Sequence, residues 1–497
     1  MSTAKIFSRA SAGLHAPDVS IDVHLSSGLP GFTLVGLPES AVREARERVR
    51  SALINSHFDW PDHRITVNLA PADLPKTGGR FDLPIALGIL VASGQLAKEV
   101  VHNKEFFGEL GLDGSLRRAS GIMAAVLAAT RASRTCGVPV SQLDSLTTIP
   151  HAQLIAADDL LSLCAKLKLS SPCEPLSPPE PQALPPYQDF RNIAGQPVAK
   201  RALEISAAGG HHLLMVGPPG AGKTLLASSL PGILPDLEPG ELLELTVIRD
   251  LLGLRAEHRR PFRAPHHSSS GPALVGGGAN AQPGEVSLAT GGVLFLDELP
   301  EFSTRTLDLL RQPLEEGEIT INRTNKTNTY PAHFQLISAM NPCPCGYAGS
   351  HDPPCKCSGE LVARYQSRIS GPILDRIDLH VGLERQSSAQ LLQPVNTCES
   401  SAVIRKRVVA ARARQLARQS CCNAQLTGRE LLQQCQMRSP VVKWFADTSD
   451  RLQLSARSTH RALRVARTLA DMRNEDEVVE QHLMEALGYR PRLEGWG

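Results

Sequence analysis

The feature that most constrains this chain is eight residues long: Gly217, Pro218, Pro219, Gly220, Ala221, Gly222, Lys223 and Thr224. They fill every fixed position of the phosphate-loop pattern, between an apolar run at 212–216 and a helix-forming stretch. Such a loop needs a buried strand feeding a helix N-terminus, which commits the surrounding chain to an α/β architecture with a parallel sheet. Its glycines let backbone N–H groups curl around a polyphosphate. Lys223 offers a point charge to the β- and γ-phosphates of ATP, and Thr224 a hydroxyl to Mg²⁺. A chance glycine turn would not combine the strand, the full pattern and the helix.

Two later segments supply what the loop lacks. The apolar run 293–296 ends in Asp297 and Glu298. Asp297 is expected to hold the Mg²⁺ hydration shell and Glu298 to polarise the attacking water. An acidic pair after an apolar strand means little alone; about 75 residues beyond a phosphate loop it is informative. A third apolar strand, 336–340, ends in Asn341, placed to orient the water; the bland alternative is an Asn turn before Pro342.

With 497 residues the chain is too long for one ordinary domain. Seven prolines between Pro172 and Pro186 mark a linker, since repeated proline removes donors and favours extended chain. The expected division is 1–169, an α/β domain; 170–188, the linker; 189–384, the ATPase core; and 385–497, a helical lid. In the first part, 21–25 and 65–69 read as strands, and 40–55 and 81–95 as helices. From about 402 onward the pattern is wholly helical. The net charge of +2 excludes a globally basic DNA-coating protein but not a local basic channel. No apolar run of membrane-spanning length and no secretory h-region occur, so the expectation is a cytoplasmic protein without membrane contact.

Of eleven cysteines, four cluster as Cys343, Cys345, Cys355 and Cys357. Two close pairs separated by a short loop suit tetrahedral Zn²⁺, with His351 a fifth candidate ligand; reduced, unliganded thiols are the alternative. Residues 318–330 alternate as a β-hairpin whose tip carries Arg323 and Lys326, candidates for gripping DNA phosphates. The basic insert 255–267 is a second surface that could face DNA or a neighbouring subunit. The helix 402–419, with six basic residues and no acid, reads as a solvated face.

The three nucleotide motifs, in this order, resemble those of the AAA+ ATPases. Residues 189–196 resemble the segment that borders the adenine. Residues 369–378 are similar to the arginine-finger segment of magnesium-chelatase and MCM-type motors, which implies that Arg376 crosses to a neighbouring subunit's γ-phosphate; Arg364 and Arg368 are its rivals. Residues 454–461 resemble the second sensor in the lid, carried by Arg457 or, second, Arg461. Nearly the whole chain resembles the ComM/YifB family, through residues 31–39 (GFTLVGLPE), 65–73 (ITVNLAPAD), 76–84 (KTGGRFDLP), 263–270 (RAPHHSSS) and 341–347 (NPCPCGY). The resemblance implies a Lon-protease-like N-terminal domain of the ribosomal S5 domain 2-like fold. It also implies a homo-oligomeric, hexameric DNA motor that drives branch migration of single- and double-stranded, branched DNA during natural transformation and recombination. On the Lon pattern, the nucleophilic Ser position holds Arg80 and the Lys position falls near Met123. A guanidinium cannot attack and a thioether cannot take the proton, so the domain is expected to be catalytically inactive. The other readings are a chelatase-like motor that remodels a protein partner and, third, an ATP-dependent Lon-type protease.

Overall fold

The structure, a computed structural model, describes all residues except 1, 37–41, 43, 75, 77, 170–184, 324–325, 350–353, 387–397 and 491–497. Most of the expected linker and His351 therefore lie outside the described residues.

The N-terminal part is built on a mixed seven-stranded sheet. Its order is Gly31–Val35, Arg64–Ala70, Asp18–Ser26, Ser2–Arg9, Lys104–Phe106, Thr135–Pro139, Leu154–Ala157. The period-2 alternation decides which face is inward: Val19, Ile21, Val23 and Leu25 are buried, as are Ile65, Val67 and Leu69 across from them. Two helices, Ala45–Asn55 and Asp82–Ala92, cover that face. The second is apolar all round and almost wholly buried, as a central helix must be. Two buried acids are held by arginines. Glu105 accepts from Arg9 (Nε, 2.7 Å) and Arg134 (2.9 Å), and Asp82 accepts from Arg48 Nε at 2.7 Å. Burial pushes the Asp82 carboxyl up to about 6 against the pull of Arg48.

The central part carries a five-stranded, all-parallel sheet. Its order is Phe262–Arg263, Val293–Leu296, Gln335–Met340, Leu213–Val216, Leu379–Gly382. Both faces are covered. Leu213 and Met215 pack on one side, with the helix Pro197–Gly209 and the C-terminal helices; Leu214 and Val216 pack on the other, with residues between 274 and 377. This is why these strands are continuously apolar rather than alternating.

Among the described residues the C-terminal part has the α-helices Ser401–Gln419, Gly428–Cys435, Ser439–Arg451, Ala456–Met472 and Glu480–Gly488. The basic run of the first is not a solvated face. Arg407 bridges Glu204 and Glu399, Arg412 donates to the Ala207 carbonyl, and Arg418 pairs with Asp471 at 2.6 Å. The cations form a seam against Pro197–Gly209 and the neighbouring helices, a pairing that a single helix's sequence does not contain. Among the described residues no helix is long and apolar enough to cross a membrane.

The two parts pack through apolar side chains, Val247 among Ile122–Val126 and Leu14 against the central core, and around a buried carboxylate. Asp250, near the end of the helix Pro239–Leu251, accepts from the Met123 backbone N–H at 2.8 Å, and its own carbonyl accepts from Gly121 N–H at 3.1 Å. Burial raises its carboxyl above the ordinary range. Arg80 lies against the same turn and donates to the carbonyls of Ser120 and Gly121.

Candidate active site

Lys223 opens the helix Lys223–Ser229 directly off the strand Leu213–Val216. The turn between them needs left-handed backbone at Gly220 (φ +76°) and Gly222 (φ +85°), where a side chain would be strained. Gly217 is fixed by space instead: a Cβ there would lie 2.8 Å from Leu383. Lys223 Nζ donates to the carbonyls of Gly217 (2.6 Å) and Pro218 (3.0 Å) and to Asn341 Oδ1 (2.9 Å). Burial lowers the Lys223 ammonium from its ordinary value, and Asp297 and Glu298 oppose that shift. Gln196, from the segment read as bordering the adenine, donates to the Ala221 carbonyl at 3.2 Å.

Thr224 Oγ1 donates to Asp297 Oδ2 at 2.7 Å, and Asp297 Oδ1 accepts from the Glu298 N–H at 2.9 Å. A hydroxyl and a carboxylate this close form the hard-oxygen pair that Mg²⁺ takes. The Glu298 backbone is itself left-handed (φ 51°, ψ 47°), an unfavourable conformation for a residue with a side chain. Its carboxylate is half exposed and lies 3.1 Å from His267 Nδ1. Pro219 to Leu225, Asp297, Glu298, Met340 and Asn341 enclose a cleft of about 450 Å³, within the size range of small-molecule sites. The residues predicted from the phosphate loop, the acidic strand and Asn341 thus converge on one space. His267 was not foreseen as a partner of Glu298; its signal was only its place in the basic insert.

The predicted arginines gather elsewhere. Arg376 donates to Pro372 O and pairs with Glu315, Arg457 pairs with Asp375 at 3.3 Å, and both line a second cleft of about 990 Å³. Arg461 is buried and donates to the carbonyls of Leu374 and Ile377, which leaves Arg457 the exposed one of the two. Arg368 pairs with Glu301 at 3.3 Å, and Arg364 is exposed. The walls of the second cleft include His212, Gly292 and Gln335, which stand at the N-terminal ends of the same strands whose C-terminal ends carry the first cleft. A four-residue strand is about 13 Å long, so Arg376 and Arg457 sit on the far edge of the sheet from Lys223.

The four cysteines come together. Cys343 Sγ lies 3.3 Å from Cys345 and 3.7 Å from Cys355, Cys345 and Cys355 are 3.6 Å apart, and all four sulfurs lie within 4.8 Å of one another. Four sulfurs about 2.3 Å from a tetrahedral Zn²⁺ would be about 3.8 Å apart. Backbone N–H groups of Ala348 and Cys357 point at the sulfurs of Cys343 and Cys355, as donors do toward thiolates. The residues fit a four-thiolate metal site.

The hairpin forms as expected, Glu318–Arg323 against Lys326–Pro331, with Arg323 exposed opposite Lys326, of which only the backbone is described. Three of the four arginines in the basic insert 255–267 are paired within the chain. Arg259 pairs with Glu257 and donates to Pro185 O, Arg260 is buried against Glu241, and Arg263 is bidentate to Glu285. Arg255 and His258 of the same insert are exposed.

The chain matches the family model described as magnesium chelatase, subunit ChlI, over residues 189–391. Two companion models, for subunit ChlI of Mg-chelatase and for its C-terminal part, match residues 21–141 and 398–490. It is 48% identical to the uncharacterised protein YifB of Salmonella typhimurium, over 99% of this chain and 97% of that one. It is 47% identical to YifB of Escherichia coli over the same shares, and 46% identical to the competence protein ComM of Haemophilus influenzae, over 99% of this chain and 98% of that one.

Proposed function

Because this chain belongs to the ComM/YifB family of magnesium-chelatase-like AAA+ proteins, we propose that it is an ATP-driven DNA motor. It would work in the cytoplasm as a hexameric ring and promote branch migration of DNA during natural transformation and recombination. The observation that carries the reading is the convergence of Lys223, Thr224, Asp297, Glu298 and Asn341 on one cleft. Lys223 and the loop N–H groups would hold the phosphates, Thr224 and Asp297 would hold Mg²⁺, and Asn341 and Glu298 would orient and polarise the attacking water. When bound, Mg²⁺ neutralises charge on the phosphates. Arg376 and Arg457, on the opposite edge of the sheet, serve the cleft of the adjacent subunit. Arg323 and Lys326 grip DNA phosphates from the ring's pore. Zinc bound by Cys343, Cys345, Cys355 and Cys357 is a structural part of the same domain. The N-terminal part is a Lon-protease-like module without the Ser–Lys dyad, since the Ser position holds Arg80 and the Lys position falls near Met123.

The test is branch migration on a synthetic Holliday junction, with DNA-stimulated ATPase measured alongside. ATP-dependent strand exchange that fails in Lys223→Ala supports the motor. Robust ATPase indifferent to DNA, with no strand movement, overturns it in favour of a motor acting on a protein partner.

A further inference from the structure

The cysteine cluster is not a remote staple. Cys343 follows Asn341 by two residues at the end of the strand Gln335–Met340, and Asn341 Oδ1 accepts from Lys223 Nζ. The turn of the cysteine loop, at Gly346 (φ +86°), lies so close to the phosphate loop that a Cβ there would sit 2.5 Å from Pro219 Cδ. Beyond Cys357 the chain caps the helix Gly359–Gln366 through Ser358, and Gln366 Nε2 donates back to Pro342 O at 3.1 Å. The next turns carry Arg368, paired with Glu301, and then the helix Gly371–Leu374, two residues before Arg376. The four sulfurs therefore stand where three pieces meet: the phosphate loop at Pro219, the strand end at Asn341, and the segment leading to Arg376.

We infer that a soft divalent ion held by Cys343, Cys345, Cys355 and Cys357 acts as a clamp that positions Asn341 and Pro219 for ATP hydrolysis and reports nucleotide occupancy to the Arg376 segment. The inference rests on the zinc and ATPase readings above and adds a role to the ion. With the ion bound, the pair Cys343 and Cys345 and the pair Cys355 and Cys357 are fixed to one point, which restrains the backbone two residues from Asn341. Without it, the strand end keeps the hydrogen bonds from Lys223 to Asn341 and from Gln366 to Pro342 but not this restraint. A misplacement of about 1 Å at a reacting group costs up to about 100-fold in rate. The expected signature is a loss of turnover of about 10- to 100-fold with nucleotide affinity retained, because the glycine-loop N–H groups and Lys223 are untouched.

The experiment uses the full chain. Metal analysis comes first: about one zinc per chain is expected for a four-ligand site, and metal-free protein that is folded and active overturns both the zinc reading and the clamp. The protein is then loaded with Co²⁺, whose visible bands report thiolate geometry, and titrated with ATP and Mg²⁺. The bands should shift in parallel with nucleotide binding, and Lys223→Ala should abolish the shift. Cobalt bands that ignore saturating nucleotide, in protein shown by fluorescence to bind it, overturn the clamp while leaving the zinc reading intact. Gly346→Ala guards against misfolding of cysteine variants. It keeps all four ligands but crowds Pro219, so it should retain full metal and lose turnover several-fold. Full metal with wild-type turnover in that variant also overturns the clamp. If Lys223→Ala hydrolyses ATP normally, the failure lies in the ATPase reading instead.

Discussion

Two loops in this protein hold the same ingredients and come to opposite ends. Lys76, Gly78, Gly79 and Arg80 precede the helix Asp82–Ala92; Gly220, Gly222, Lys223 and Thr224 open the helix Lys223–Ser229. Each combines glycines, cations and a helix start, the makings of an anion site. In the first, Lys76 is fully buried and donates to the Pro71 carbonyl, and Arg80, 4% exposed, is turned onto Ser120 and Gly121. Burial lowers the Arg80 guanidinium to about 10, opposed by Asp250 from the central part. The helix that follows begins with an acid, Asp82, at the end where an anion would bind. In the second, the first turn carries no acid, and the two carboxylates stand across an open cleft. Glycine and charge permit a phosphate site. What decides is whether the neighbouring strand leaves the loop open or another part of the chain closes it.

Substitutions that strike one loop and spare the other sharpen this contrast. The largest effect is expected at Lys223→Ala, which should bring ATP turnover to background, while Lys76→Ala leaves the turnover of folded protein unchanged. Equal losses in a phosphate-release assay would erase the distinction. Next is Arg376→Ala, expected to keep ATP affinity and assembly yet lose about 10³- to 10⁵-fold in turnover. Mixing it with Lys223→Ala should restore some hydrolysis, because an intact loop then meets an intact arginine across an interface. A mixture that stays dead while isolated wild-type monomers hydrolyse ATP would mean that the open cleft needs no neighbour. Glu298→Gln should bind ATP normally and slow turnover by about 10²- to 10⁴-fold; single-turnover rates near wild type would remove it from the water. The smallest effect belongs to the closed loop. Arg80→Ala leaves two carbonyls and Asp250 without their cation, so thermal denaturation should show a loss of about 1–3 kcal/mol, with turnover per folded chain unchanged.

The phosphate loop, the acidic pair and Asn341 were legible because each is a contiguous run whose chemistry depends on its own backbone. The cysteine cluster was legible for a related reason: its two pairs are close in sequence and only one loop had to fold. What the sequence hid depends on partners far along the chain. Arg260 reads as a surface cation and is buried by Glu241 and by backbone carbonyls at 235, 236 and 291. The run at 402–419 reads as solvated, yet Glu204 and Asp471 neutralise it from other helices. His267 meets Glu298 only because the sheet sets the strand Phe262–Arg263 beside Val293–Leu296. The expected helix at 40–55 contains Ala45–Asn55, and its apolar spacing set the buried face, Ala45, Val49, Ala52 and Leu53; residues 40, 41 and 43 lie outside the described residues.

The order of strands in the central sheet bears on how the protein is made. Leu213–Val216 emerges first from the ribosome, but both of its neighbours, Gln335–Met340 and Leu379–Gly382, are more than about 120 residues further on. At roughly 5–20 residues per second, the nascent chain waits on the order of ten seconds or more before its first pairing partner exists. During that time an entirely apolar strand, tethered to a glycine loop, has no sheet to enter. Synthesis of this protein therefore passes through an obligatory sticky interval, and a cell short of nascent-chain chaperones should lose the central part to aggregation before the N-terminal part, whose first two strands pair with each other at once.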